Sequence, residues 1–174
     1  MKGYYNNPEA TDKEIIDNWF HTGDVGEIDN NGFVSITGRK KEIYVSSAGK
    51  NIAPLVIEET MKSIPLVSQC FLVGDNKNYC TALITLDVGV ILRDKFSMDS
   101  NKIPKDPGEQ LKVLISKGKK LDDFTSSEEI FGEIEIKINE LNNEFSNPEQ
   151  IKKFTILPRD FTIDDGELTP TLKI

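Results

Sequence analysis

The sequence is poor in the residues that most often build metal, redox and histidine-dependent sites, since its 174 residues include two cysteines and a single histidine. That inventory excludes a histidine-rich metal site and a histidine-dependent catalytic triad. His21 is therefore expected to be a packed or solvated turn residue. Cys70 and Cys80 have nine residues between them, which matches neither a metal-binding nor a redox motif. We expect two reduced, buried thiols in a cytoplasmic protein.

Long apolar runs are also missing. The longest, such as Cys70–Val73 and Ala82–Leu86, are far shorter than the roughly 20 residues that cross a bilayer, and no apolar signal segment opens the chain. An excess of positive charge is absent too, since the net charge is −8 and the isoelectric point is about 4.8. The surface as a whole is therefore not expected to capture nucleic acid or anionic lipid, although a local basic patch could bind phosphate.

What the sequence does contain is the composition and patterning of a small α+β protein. Its length suits one domain, or one modest domain with an appended piece. A polar opening stretch contains a capping-box pattern at Thr11–Glu14, which predicts the start of a short helix. Asp24–Thr37 then has the alternation of a β-hairpin, with Gly32 supplying the positive φ that the turn requires.

The remaining pattern predicts helices packed on a small mixed sheet. The clearest element is a helix over Glu128–Phe145, whose apolar residues recur every three or four positions. Two strands, Gln69–Val73 and Cys80–Leu86, are joined by a turn at Gly74–Asn78. We also expect a strand at Ile43–Val45, a helix from Pro54 to about Ile64, a surface excursion at Ser97–Gly108, a short helix at Glu109–Ser116 and a strand at Phe154–Leu157.

The strongest local group of polar residues consists of Thr22–Asp24, Gly38–Lys41 and Gly49-Lys50. Such a group could form a phosphate and ribose site, because a carboxylate accepts two hydrogen bonds from a ribose diol and a guanidinium forks onto phosphate or ribose oxygens. The competing interpretation is that Asp24 and Arg39 form an ordinary ion pair at the end of the hairpin. Spacing alone leaves both interpretations open.

Other polar patterns predict no site. The acidic pairs are typical of solvated helix starts and turns rather than of metal or acid–base chemistry; they are Asp122-Asp123, Glu128-Glu129 and Asp164-Asp165. The glycines form neither a Walker-type loop nor a Gly-x-Gly-x-x-Gly turn after a strand.

Five longer motifs follow one another along the chain. They are Gly3-Tyr-Tyr-Asn-Asn-Pro-Glu-Ala-Thr11, Trp19-Phe-His-Thr-Gly-Asp24, Gly38-Arg-Lys-Lys-Glu-Ile43, Asn51-Ile-Ala-Pro-Leu-Val-Ile-Glu58 and Gly166-Glu-Leu-Thr-Pro-Thr-Leu-Lys173. In this order and spacing they resemble the acyl-CoA synthetases of the adenylate-forming family, and the last motif resembles the ending of long-chain, bubblegum-type fatty acyl-CoA synthetases. The similarity spans nearly the whole chain, with residues 76–127 the least diagnostic.

The resemblance implies a domain organisation and several roles. Residues 1–38 would be the tail end of a large N-terminal adenylation body with a linker hairpin, and residues 39–174 would be the mobile C-terminal domain. Asp24 would bind the ribose hydroxyls of ATP and of the acyl-adenylate, and Arg39 would support the same nucleotide. Lys41 would be the hinge about which the C-terminal domain rotates between adenylate formation and thioester formation with CoA.

The resemblance also implies contacts with CoA and a catalytic lysine. The loop of Ser47, Ala48, Gly49 and Lys50 would line the pantetheine tunnel, where glycine allows close approach of the backbone; the competing interpretation makes Gly49 a simple turn glycine. Lys173 matches the family's catalytic lysine, whose ammonium stabilises negative charge between the α-phosphate and the incoming carboxylate. Without an enclosing active site, it would be a frayed C-terminal lysine.

Other parts of the family's machinery are not in this sequence. The phosphate-binding loop, the magnesium-binding glutamate and the acyl tunnel belong to the N-terminal body. We therefore expect the chain alone to be inactive, with residues 1–37 weakly anchored. ATP, Mg²⁺, CoA and a fatty acid would be the partners of the whole enzyme, without nucleic acid, and any peripheral membrane contact would be confined to that enzyme.

The leading hypothesis is thus the C-terminal portion of a long-chain fatty acid:CoA ligase. Two alternatives stay open. The first is the C-terminal domain of an adenylating enzyme that uses another acid. The second is a stand-alone, non-catalytic module that binds nucleotide, CoA or a partner.

Overall fold

A computed structural model describes residues 1–169 in two compact units. The small unit is Met1–Ile43 and the large unit is Tyr44–Ile174. Contacts thus divide the chain after Ile43, whereas the domain boundary after residue 38 stays a prediction about the whole enzyme. Within the described residues, no helix is both long enough and apolar enough to cross a membrane.

The small unit begins with helix α1, Pro8–Glu14. The side chain of Asn7 caps it by accepting a hydrogen bond from Ala10 N at 3.0 Å, and Pro8 occupies the first turn. The prediction of a helix that starts at Thr11 was wrong, because the Asn-Pro pair starts it earlier. The Thr11 hydroxyl instead donates to Asn7 O and accepts from Tyr4 N, both at 2.9 Å.

Two short hairpins complete the small unit. Strands β1 (Ile15–Ile16) and β2 (Trp19–Phe20) pair antiparallel, as do β3 (Asp24–Ile28) and β4 (Val34–Arg39). The second pair confirms the predicted hairpin, and Gly32 has the expected positive φ of +86° in its turn. The Asp29 carboxylate tightens that turn by accepting from two backbone N–H groups that follow it, at 2.8 and 2.9 Å.

The large unit is built on a three-stranded mixed sheet, as predicted. Strands β7 (Val67–Val73) and β8 (Cys80–Leu86) are antiparallel, and β9 (Ile151–Ile156) lies parallel to β8 on its other side. An additional antiparallel pair, β5 (Tyr44–Val45) and β6 (Asn51–Ile52), precedes this sheet in the chain.

Helices α2 to α6 complete the large unit. They are α2 (Pro54–Met61), α3 (Val88–Phe96), α4 (Pro107–Ser116), α5 (Asp122–Thr125) and α6 (Glu128–Leu141), with single 3₁₀ turns at Ser100–Lys102, Asn142–Glu144 and Asn147–Glu149. The apolar stripe predicted for α6 is buried at Ile130, Ile134 and Ile138. Helix α3 was not predicted; it begins directly after β8, where the Asp87 carboxylate caps it by accepting from Val90 N at 3.0 Å.

Both cysteines lie in the core of the large unit as free thiols, which confirms the expectation that they are buried. Burial raises the pKa of the Cys70 thiol to about 12 and that of the Cys80 thiol to about 11. A thiol with so high a pKa carries almost no thiolate at neutral pH, so neither cysteine is a nucleophile in the folded chain.

Candidate functional site

Asp24 and Arg39 are brought together at the open end of the β3–β4 hairpin. They face each other in the ladder, and Arg39 Nε lies 3.2 Å from Asp24 Oδ1. Thr22 Oγ1 accepts from Asp24 N at 3.1 Å, and Gly23 O accepts from Lys40 N at 2.8 Å, so the segment before Asp24 is fixed as well. The hairpin-end ion pair is therefore the observed arrangement, and the role of the pair toward a nucleotide stays a prediction.

The pair has the donors and acceptors that a ribose site needs. A carboxylate has two acceptor oxygens and a guanidinium has five N–H donors, of which the ion pair uses one on each side. Half of the Arg39 side chain is exposed, at 53%. A sugar diol or a phosphate could reach the exposed guanidinium, whereas the Asp24 side chain is only 26% exposed.

Lys41 lies in the turn that follows β4. Glu42 N donates to Arg39 O at 2.9 Å and closes this turn, and the lysine itself is exposed. The turn is next to the division between the two compact units, which comes after Ile43. A connection of this kind is where a hinge would have to be, although rotation about Lys41 stays a prediction.

The β5–β6 loop, Ser47–Lys50, belongs to the large unit. Buried Ser46 closes it, since Ser46 N donates to Lys50 O at 2.8 Å and Ser46 Oγ accepts from Lys50 N at 3.0 Å. Gly49 has φ of +80°, and a Cβ built there would have no neighbour within 4 Å. The glycine is therefore required by the backbone conformation of the turn rather than by crowding. Whether Ser47, Ala48, Gly49 and Lys50 line a pantetheine tunnel stays a prediction.

The β5–β6 loop is tied to two distant parts of the large unit, and sequence reasoning missed both ties. On one side, Ser47 N donates to Lys77 O at 3.0 Å and Ser47 Oγ donates to Asn78 Oδ1. On the other, Lys50 Nζ donates to Glu149 Oε2 at 2.9 Å and to Ser146 Oγ. No local pattern could have revealed these contacts, because their partners are 30 to 99 residues apart in the chain.

Hydrogen bonds from Ser146 hold the Glu149 carboxylate in position to accept a hydrogen bond from Lys50. It closes a capping box with Ser146, whose N–H and Oγ donate to Glu149 Oε2 at 3.1 and 2.5 Å. Partial burial raises the pKa of the carboxyl, but the hydrogen bonds from Ser146 and Lys50 together outweigh burial and hold the pKa below its ordinary value. Glu149 is therefore an ionised partner for Lys50 at neutral pH.

Lys173 lies outside the described residues, so its role as the catalytic lysine stays a prediction. The segment that leads toward it is fastened to the sheet. Fully buried Thr85 donates through Oγ1 to Asp160 Oδ1, and Ser68 Oγ donates to Asp160 Oδ2 at 3.2 Å. Phe161 N adds a hydrogen bond to Gln69 Oε1 at 2.7 Å.

Other groups in residues 1–169 provide no rival centre. No set of three or more His, Cys, Asp or Glu side chains is placed to hold a metal ion in that range. The acidic pairs fall where solvated carboxylates were expected, in the first turns of α5 and α6 and in the turn before Gly166. A shallow cavity of about 250 Å³ lies between α6 and β9 beside the stacked rings of Phe131 and Phe154, and none of the predicted site residues lines it.

Comparison with known proteins shows which protein family and which solved structures this chain resembles. Residues 41–100 match the family of AMP-binding enzyme C-terminal domains. The chain aligns over 99% of its length with 23% of the adenylation domain of a carboxylate reductase from Mycobacterium chelonae, with a TM-score of 0.62 and 20% identity. It also aligns over 100% of its length with 26% of o-succinylbenzoate CoA synthetase (MenE) from Bacillus subtilis in complex with AMP, with a TM-score of 0.55 and 20% identity. At these identities the likeness shows the fold alone, which the chain shares with part of each of these two enzymes.

A relative found by sequence comparison is more similar to the chain than these solved structures are. The chain is 40% identical over all 174 residues to the long-chain-fatty-acid–CoA ligase FadD15 from Mycobacterium tuberculosis, and it spans 26% of that protein. The chain is thus homologous to part of a long-chain-fatty-acid–CoA ligase, and its residues 41–100 match the AMP-binding enzyme C-terminal domain. It spans about a quarter of the length of that curated relative.

Proposed function

We propose that the chain is the C-terminal domain of a long-chain fatty acid:CoA ligase. That enzyme would activate a fatty acid with ATP to an acyl-adenylate, release pyrophosphate, and transfer the acyl group to CoA to give acyl-CoA and AMP. The observation that supports this proposal most strongly is the 40% identity to FadD15 along the whole chain. The resemblance of the Gly166–Lys173 motif to the ending of long-chain synthetases agrees with it.

We propose a role in this reaction for residues on each side of the hinge. Asp24 and Arg39 would hold the ribose of the nucleotide, exchanging part of their ion pair for sugar hydroxyls. The β5–β6 loop would contact the pantetheine arm during thioester formation. Lys173 would stabilise the charge that develops between phosphate and carboxylate during adenylate formation.

ATP, Mg²⁺ and CoA would be used by the whole enzyme. The acyl-CoA synthetases that the chain resembles hold Mg²⁺ through their N-terminal body, and we propose the same here. Mg²⁺ would neutralise the triphosphate when bound. This chain's own residues would contribute the ribose contacts, the hinge and the CoA loop.

We propose a cytoplasmic location for the enzyme, which fractionation of cells would test.

The direct test is to express the complete open reading frame that contains this chain and to assay the purified protein with acids of different length. We expect ATP- and CoA-dependent acyl-CoA formation that is greatest with long-chain fatty acids. A Lys173→Ala variant should lower the rate of adenylate formation by about 10²–10³-fold, the size seen when a single group that stabilises transition-state charge is removed. An enzyme without activity on long-chain acids would contradict the proposal.

A different acid is the main alternative. The solved enzymes that share the fold include a carboxylate reductase and an o-succinylbenzoate CoA synthetase, whose names specify neither a fatty acid nor a chain length. The same panel of acids separates the two hypotheses. Calorimetric titration of the 174-residue chain with CoA and AMP tests the third hypothesis, since tight binding by the chain alone would favour a stand-alone module.

A further inference from the structure

The β5–β6 loop is held at both of its ends by residues that are distant in the chain. Ser47 is held through its backbone and its hydroxyl by residues 77–78. Lys50 is held through its ammonium by Ser146 and Glu149. Gly49 lies between them: its N–H donates to Ser46 O at 2.8 Å, and a Cβ built on it would meet no atom within 4 Å. A loop that is held at both ends keeps the backbone of its tip in one place and leaves it accessible to a ligand.

The Lys50 contact differs from an ordinary surface ion pair. The Lys50 side chain is 42% exposed and that of Glu149 only 24%, whereas the values are 51% for Lys137 and 59% for Glu140 in the exposed pair of α6. Lys50 also reaches two acceptors at once. Partial exclusion of water and charge-assisted hydrogen bonding both strengthen such a contact relative to a fully solvated pair.

The acceptor side is itself held in place. Ser146 and Glu149 share a capping box, so the carboxylate is oriented before the lysine arrives. Pro148 O accepts from the buried Cys80 thiol at 3.4 Å. At the start of β9, the Asn142 side chain exchanges two hydrogen bonds of 2.9 Å with the backbone of Ile151. The Ser146–Glu149 turn is thus anchored to the sheet and can serve as a fixed point for the loop.

From these contacts we propose that Glu149 and Ser146 are positioning residues for the CoA step, which hold Lys50 and thereby keep the β5–β6 loop in the conformation that receives the pantetheine arm. This inference rests on the proposed function of the loop. Neither residue is assigned contact with a substrate. Their contribution would be to order the loop before CoA binds, so that binding does not have to order it.

The first experiment measures the loop itself in the 174-residue chain. Glu149→Gln keeps the shape of the side chain and an acceptor for Ser146 while removing the charge that holds Lys50. We expect amide hydrogen exchange at residues 47–50 to become about tenfold faster, because a charge-assisted hydrogen bond contributes on the order of the 1.4 kcal/mol that corresponds to tenfold. Glu140→Gln is the matched control; it makes the same change in the exposed α6 pair and should leave loop exchange unaltered.

Lys50→Met tests the same contact from the loop, and it keeps the proposal testable if Glu149→Gln alters the fold. The double variant Lys50→Met/Glu149→Gln should exchange no faster than either single variant, because both remove one shared interaction. Unchanged exchange in the single variants, or additive effects in the double variant, would overturn the idea that this contact orders the loop.

The second experiment uses the enzyme encoded by the complete reading frame and measures its two half-reactions separately. Glu149→Gln should raise KM for CoA in thioester formation by about tenfold and leave pyrophosphate release during adenylate formation unchanged. An equal loss in both half-reactions, or an unchanged KM for CoA, would overturn the positioning role. If the unmutated enzyme makes no thioester, the proposed function fails and the positioning role fails with it, whereas exchange still decides whether the contact orders the loop.

Discussion

The two compact units differ in how far they bury their apolar side chains. The large unit buries a continuous cluster that includes Leu72, Ile84, Ile91 and Ile134, each 0% exposed. The small unit, residues 1–43, has Gly38 as its one buried residue. Its large apolar side chains are mostly in contact with water; those most exposed include Tyr5, Trp19, Ile28, Phe33, Val34 and Ile36.

This difference indicates where the stability of the chain resides. Burial of apolar surface is the main favourable term in folding, at roughly 25 cal/mol per Å², and a two-stranded hairpin without a packed face is marginal in water. The large unit can therefore fold on its own contacts, whereas the small unit depends on turn and ladder hydrogen bonds. A cluster of exposed apolar side chains on so few residues is typical of a surface that another protein segment covers.

The largest effect should come from apolar truncation in the large unit. Ile134→Ala removes a fully buried side chain from α6 and should lower the free energy of unfolding by about 2–5 kcal/mol. Ile36 lies in β4 of the small unit and is 62% exposed, so Ile36→Ala should change the free energy of unfolding by less than about 0.5 kcal/mol. Urea unfolding followed by labelling of Cys70 and Cys80 measures this difference, because both thiols lie in the large unit. Equal losses would mean that Ile36 contributes as much to the stability of the large unit as one of that unit's own core residues.

A smaller effect is expected from the polar network that fastens the end of the large unit. Asp160→Ala leaves the hydroxyl of fully buried Thr85 without its acceptor and should cost about 1–3 kcal/mol, measured by the same unfolding experiment. Asp164→Ala is the control, since its carboxylate is exposed in the following turn. If the two variants were equally stable, the Asp160 contacts would contribute nothing beyond the packing around them.

The sequence predicted best where the signal is local. The α6 stripe and the strands that became β7 and β8 follow from periodicity within one element, and the Asp29–Gly32 turn follows from residues that allow its backbone angles. The start of α1 was misplaced because two capping signals overlap, and the Asn7-Pro8 signal prevailed over the one at Thr11. Helix α3 was missed because it follows β8 without a break; Asp87 and the basic residues of its last turn were the usable signals.

The candidate site could be predicted only in part, for the same reason. The Asp24–Arg39 pair was foreseen because a hairpin register brings its two ends together. The parallel pairing of β8 with β9 and the Lys50–Glu149 contact join residues about 70 and 99 positions apart, respectively, and no local pattern encodes such proximity. Tertiary contacts of this kind arise only once the whole sheet is assembled.

The smallest effect on stability should come from the ion pair of the small unit. Asp24→Asn removes one charge from a pair with a half-exposed arginine, and it should change the stability of the hairpin by less than about 1 kcal/mol, as measured by hydrogen exchange of the β3–β4 amides. In the enzyme encoded by the complete reading frame, the same change should lower kcat/KM for ATP by about 10–100-fold, because it weakens a charged acceptor for the ribose hydroxyls. A variant that weakens the hairpin but leaves ATP use unaltered would assign the pair to structure alone, whereas the opposite result would show that these exposed residues of the small unit serve the nucleotide.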